Sequence, residues 1–137
     1  MNRDDITEAL KTRLASGGVG LLGTYPAVDP QGVMTRPYFE VSFPAIDTDG
    51  PSLKGGLERE VGRMSVMIVV EFGVGETEAN NYADAVKALF PQALRIPVAS
   101  GIITIQQPAQ IRPGYRDDRN EIDWRVPVII RFSTLSQ

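Results

Sequence analysis

The stretch from Met64 to Phe72 constrains this chain most, because it is apolar on both of the faces that a strand presents. With the period of two of a β-strand, Met64, Val66, Ile68, Val70 and Phe72 share one face, and Met67 and Val69 lie on the other. Such a strand needs cover on both sides. One cover follows directly. After Gly73-Val74-Gly75, the residues Ala79, Tyr82, Ala83, Val86, Leu89 and Phe90 recur at helical spacing until Pro91 stops them. The second face is closed either within the same domain or by a neighbouring subunit. The expectation is a long strand over residues 58–72, a tight glycine turn, and a helix whose first turn carries Glu76 and Glu78 at the positive end of its dipole.

The flanking chain supplies the rest of a two-layer domain. Residues 4–15 put Ile6, Ala9, Leu10 and Leu14 on one helical stripe, with Asn2 as a cap, Asp4 and Asp5 in the first turn, and Gly17-Gly18 past the end. Residues 17–36 are punctuated too often by glycine and proline for a long element and read as an extended connection anchored by Leu21, Leu22 and Tyr25. Between Pro37 and Pro44, Phe39, Val41 and Phe43 alternate with Tyr38, Glu40 and Ser42, as in a half-buried strand. Residues 45–56 have the composition of an exposed loop. Residues 94–98, 102–106 and 110–115 read as short strands or extended segments. The last strand sets Trp124, Val126, Val128, Ile130 and Phe132 against Asp123, Arg125, Ile129 and Arg131. Pro127 cannot donate a ladder hydrogen bond, which predicts an edge position or a bulge there.

The order of these blocks resembles the tail terminator (tail completion) proteins of long-tailed bacteriophages. Its carriers are an N-terminal amphipathic helix, the strand Pro37-Tyr38-Phe39-Glu40-Val41, a Gly/Ser loop and the strand after Gly62. The helix end Phe90-Pro91 and the final Trp124-Arg125-Val126-Pro127-Val128 complete the set. The expected fold is α+β, one domain over residues 1–137, with a mostly antiparallel twisted sheet carrying two helices on one face.

Composition removes most chemistry. At 137 residues, about two thirds of the unfolded chain's surface is buried on folding, enough for a core. The chain holds no cysteine and no histidine, so disulfides, thiol nucleophiles, imidazole bases and ordinary zinc sites are all excluded. Only 14 basic residues are scattered among 17 acidic ones, for a net charge of −3, which gives no clustered grip on phosphates. No apolar run reaches the roughly 20 residues of a membrane helix, and the first residues lack a signal-peptide pattern; production and use in a cytoplasm are expected, without a membrane.

The motifs that suggest ligands are broken. Gly73-Val74-Gly75 begins like a dinucleotide fingerprint, but Glu78 stands at the third glycine position and Glu76 beside it would repel a pyrophosphate. Asp47-Thr48-Asp49-Gly50 with Glu58 superficially follows a calcium loop, but Pro51 at the fifth position and Ser52 at the sixth, where the sharp turn needs glycine, break it. The mixed-charge run from Tyr115 to Arg125 reads as a solvated hairpin tip or, alternatively, as an ion-pairing surface between subunits. Trp124, Met64 and Met67 read first as core residues and second as contacts with a neighbour. No cofactor and no catalytic group are expected.

The resemblance implies a virion structural protein. Tail terminators form hexameric rings that cap the tail tube, end its polymerisation and join the head completion proteins, while DNA passes through the lumen. On that basis Met67, Val69, Arg125, Ile129 and Arg131 are candidate contacts between subunits, and Leu53 with Lys54 is a candidate arm docking on the tail tube. The alternatives are another head-tail connector ring and a small enzyme acting through carboxylates.

Overall fold

A computed structural model describes residues 3–17, 22–24, 37–48, 58–73, 75–98, 101–116 and 123–136. Within them the chain runs α1 (Arg3–Ser16), β1 (Leu22–Thr24), β2 (Tyr38–Thr48), β3 (Glu58–Glu71), α2 (Glu76–Leu89), β4 (Arg95–Val98), β5 (Gly101–Ile105), β6 (Gln110–Ile111), β7 (Tyr115–Arg116) and β8 (Asp123–Ser136). The strands form one sheet in the order β1-β2-β3-β8-β5-β4, with β6 and β7 also paired to β8. Only the β1–β2 pair is parallel.

Both helices lie on the face of the sheet that carries the even-numbered residues of β3 and β8. There Met64, Val66, Ile68 and Val70 pack with Val126, Val128, Ile130 and Phe132, and with Ile103 and Ile105 of β5. Ile6, Leu10 and Leu14, spaced one turn apart on α1, and Ala79, Ala83 and Val86 of α2 close the core from above. Small residues at 79 and 83 let α2 approach the sheet closely. Each large, fully buried apolar side chain contributes about 1.5–3 kcal/mol over leaving it in water. The turn before α2 shows why glycine stands there. Gly73 has φ +84° and its N–H donates to Glu76 Oε1 at 2.9 Å, so Glu76 caps the turn.

Three expectations need correction. β2 does not stop at Pro44 but continues to Thr48, past a register shift between Ser42 and Ala45; the extra residue of a bulge absorbs the missing donor, and residues 45–48 are strand, not loop. β8 is neither at an edge nor bulged. It is central, paired to β3 in unbroken register through Met67↔Pro127. The Pro127 carbonyl accepts from Arg112 N–H at 2.9 Å, and a strand residue's nitrogen points to the same side as its carbonyl. The absent N–H therefore faces the break between β6 and β7, where the ladder is already interrupted. Phe72, expected on the core face, follows the end of β3 and is 39% exposed. Its ring lies 5.8 Å from that of Trp124 and 4.2 Å from the Arg116 guanidinium.

Trp124 itself is half-buried against the core, and Gly114 makes room for it: a Cβ at Gly114 would lie 2.5 Å from the indole Nε1. Because a rigid ring cannot yield as a flexible side-chain end can, Gly114→Ala is expected to cost about 1–3 kcal/mol. The loss is read from denaturant melts followed by the fluorescence of the single tryptophan.

Candidate assembly surface

The opposite face of the sheet carries no helix among the described residues. The register lays out its side chains: Arg63↔Arg131, Ser65↔Ile129, Met67↔Pro127 and Val69↔Arg125 between β3 and β8. Ile102↔Leu135 joins β5 to β8, and Tyr115↔Arg125 joins β7 to β8. This face divides into two parts of different character.

The part near β2 and β7 is closed by the subunit itself. Val69 stands in register between Tyr38 and Arg125 and is fully buried, and Tyr38 is 8% exposed. Arg125 Nη1 donates to Glu40 Oε2 at 3.1 Å, and its Nη2 lies 3.8 Å from Asp123 Oδ2; both the Arg125 and the Asp123 side chains are largely buried. The Tyr115 hydroxyl donates to Met67 Sδ at 3.9 Å. This network explains a polar cluster within a sheet: buried charges persist only when paired. It also means that Val69 has no surface to offer a neighbour.

The other part is open. Ile129 and Arg131 are half-exposed, Arg63 is exposed, and the cross-strand pair Ile102 and Leu135 is 37% and 44% exposed. Arg63 and Arg131 are directly opposite each other, and neither guanidinium has an ion pair or hydrogen bond among the described residues. Directly opposed like charges weaken a strand pair by on the order of 0.2–1 kcal/mol. The strands contain arginine and no lysine, and the open part mixes arginine with isoleucine and leucine. Surfaces with arginine enriched and lysine depleted are those that meet other proteins.

Of the residues singled out from sequence, the fold thus brings Met67, Val69, Arg125, Ile129 and Arg131 onto one face. Leu53 and Lys54 lie outside the described residues, as does the tip at 117–122. Arg63 and the Ile102–Leu135 pair escaped the sequence reading, because only the register shows what stands opposite them. Arg63 could have been found by continuing the alternation from Val69 and Met67 back through Ser65. The Glu40–Arg125 pair, 85 residues apart, carried no local signal. No group of three or more acidic side chains is arranged to hold a metal among the described residues, and none of their helices is long and apolar enough to cross a membrane.

The fold is a two-layer α+β subunit with one sheet face free of helices among the described residues. The phage tail terminator protein family matches residues 5–132, and the chain belongs to that family. The chain is therefore a structural protein of the phage tail. Among solved structures, one shares the fold with a TM-score of 0.77 at 18% identity, covering 98% of this chain and 96% of that one. A chain from the virion of a native gene transfer agent particle is similar with a TM-score of 0.69 at 19% identity, over 97% of this chain and 96% of its own. No curated protein matches the chain.

Proposed function

We propose that this protein caps the phage tail tube as a closed ring, a hexamer, ending tube polymerisation and forming the joint to the head completion proteins. The observation that carries the reading is the open sheet face with Arg63, Arg131, Ile129, Ile102 and Leu135, in a chain matched over nearly its whole length by the tail terminator family. The mechanism is geometric. A head-to-tail contact whose rotation closes after a fixed number of copies makes a ring instead of a filament, and a ring that fits the tube on one side only ends growth. Residues 1–137 act as one such domain at the head-proximal end of the virion tail, assembled in the host cytoplasm. The loop with Leu53 and Lys54 is the proposed arm on the tube protein. DNA passes through the lumen without specific binding, in keeping with a chain of net charge −3.

Electron microscopy and native mass measurement test this, at several protein concentrations and on assembled tails, since weak rings dissociate on dilution. Rings on tails with a six-subunit mass are the expected result. Monomers in solution and none on tails would sink the proposal.

A further inference from the structure

The arginine face has a complement elsewhere on the same chain. Between α1 and the edge strand β4 lies a groove of about 530 Å³. Ala9, Ile96 and Val98 line it on the apolar side, and Asp5 and Glu8 stand exposed along α1. Neither acid is without a partner and Arg13 also lines the groove, but the two carboxylates are the more exposed groups. Arg13 is turned to α2, where its Nε donates to the Leu89 carbonyl and its guanidinium lies 6.0 Å from the Phe90 ring. Lys11 Nζ is 3.9 Å from Glu8, whose side chain is 73% exposed, so that contact is weakened by solvent. The groove lies on the helix side of the sheet, and Arg63 and Arg131 lie on the other.

We infer that the acid-rimmed α1/β4 groove of one copy receives Arg63 and Arg131 of the next copy, making a head-to-tail junction. The inference rests on the ring reading and names the surfaces that build the ring. A second copy fits better than any other occupant, because the two surfaces are opposite in charge and occur once each on every chain. That is the condition for a heterologous contact that repeats. The match works in detail. An arginine offers apolar methylenes to Ala9, Ile96 and Val98 while its head meets Asp5 and Glu8. The unfavourable opposition of Arg63 and Arg131 within one subunit is relieved once carboxylates stand beside both. Burial of the pair in junctions also keeps it out of the DNA channel.

The test is a charge exchange on the full chain, with assembly followed by sedimentation and electron microscopy at low and high salt. Arg63→Glu with Arg131→Glu should weaken association at least tenfold, as should Asp5→Arg with Glu8→Arg, with helical and tryptophan signals unchanged. The fourfold variant should restore rings, and wild-type assembly should weaken as salt rises. A milder pair, Arg63→Gln with Arg131→Gln, covers the case in which the reversed charges disturb the sheet. Rings unaffected by the arginine changes would overturn the inference, as would two separately disrupted variants that the fourfold variant fails to rescue. Intact rings that lose retention on a DNA duplex would assign the arginines to the channel instead. Wild-type dimers or open filaments broken by these same changes would overturn the ring while leaving this junction standing; a wild type that never associates overturns both.

Discussion

Val69→Asp is expected to destabilise the subunit severely, whereas Ile129→Asp, on the same face of the sheet, should leave a stably folded subunit that no longer assembles. Val69 is fully buried between Tyr38 and Arg125, with Tyr115 on the far side of Arg125. A carboxylate there loses its hydration, and Arg125 is already committed to Glu40 and Asp123. Together with lost apolar burial, the penalty is about 4 kcal/mol or more, a large part of a typical domain's stability of about 5–15 kcal/mol. Ile129 is half-exposed beside Ser65 and Gln110, so an aspartate there remains solvated in the free subunit and costs about 0.5–1 kcal/mol of stability. It is desolvated only when a neighbour covers the face. Circular dichroism melts and sedimentation on both variants separate the two effects. A folded, assembling Val69→Asp protein would show that the enclosure around Tyr38 is loose.

Arg125→Met should be nearly as severe. Arg125 joins a half-buried Glu40 on β2 to a buried Asp123 on β8, bridging three strands, and its side chain is 17% exposed. Methionine keeps much of the volume, yet it leaves the Asp123 carboxylate without this cation. Breaking a buried pair from one side costs about 3–5 kcal/mol. Glu40 is 43% exposed and is rehydrated at little cost, so the burden falls on Asp123. The double change Arg125→Met with Asp123→Asn should recover part of the loss, because the second substitution removes the stranded charge. Chemical denaturation of the two variants measures this; a single variant within 1 kcal/mol of wild type would show that Asp123 is held by its other contacts.

The sequence by itself determined the elements and the core. The helical stripes of α1 and α2 are single-period patterns, and the structure buries Ile6, Leu10, Leu14, Ala79, Ala83, Val86 and Phe90 while leaving Ala9, Tyr82 and Leu89 half-buried at the margin. The same holds for Met64, Val66, Ile68 and Val70 of β3 and for Val126, Val128, Ile130 and Phe132 of β8, because a strand beneath two helices turns one face to them. Periodicity is local, and for that reason it is readable in one dimension. The order of blocks likewise identified the tail terminator family.

What the tertiary structure decided is which strands are neighbours. Pro127 read as a mark of an edge, since proline lacks a donor; only the pairing reveals a central strand whose nitrogen faces the gap between β6 and β7. Pro44 read as a strand end, and the bulge carries β2 past it. Val69 and Ile129 looked equivalent along the chain, two apolar residues on second faces. Their fates differ because Tyr38 and Arg125 flank one in the folded sheet, while Ser65 and Gln110 flank the other. Arg63 and Arg131, 68 positions apart, become one charged site only through antiparallel register. Register depends on contacts between distant segments, and a one-residue slip would turn each of these side chains to the other face.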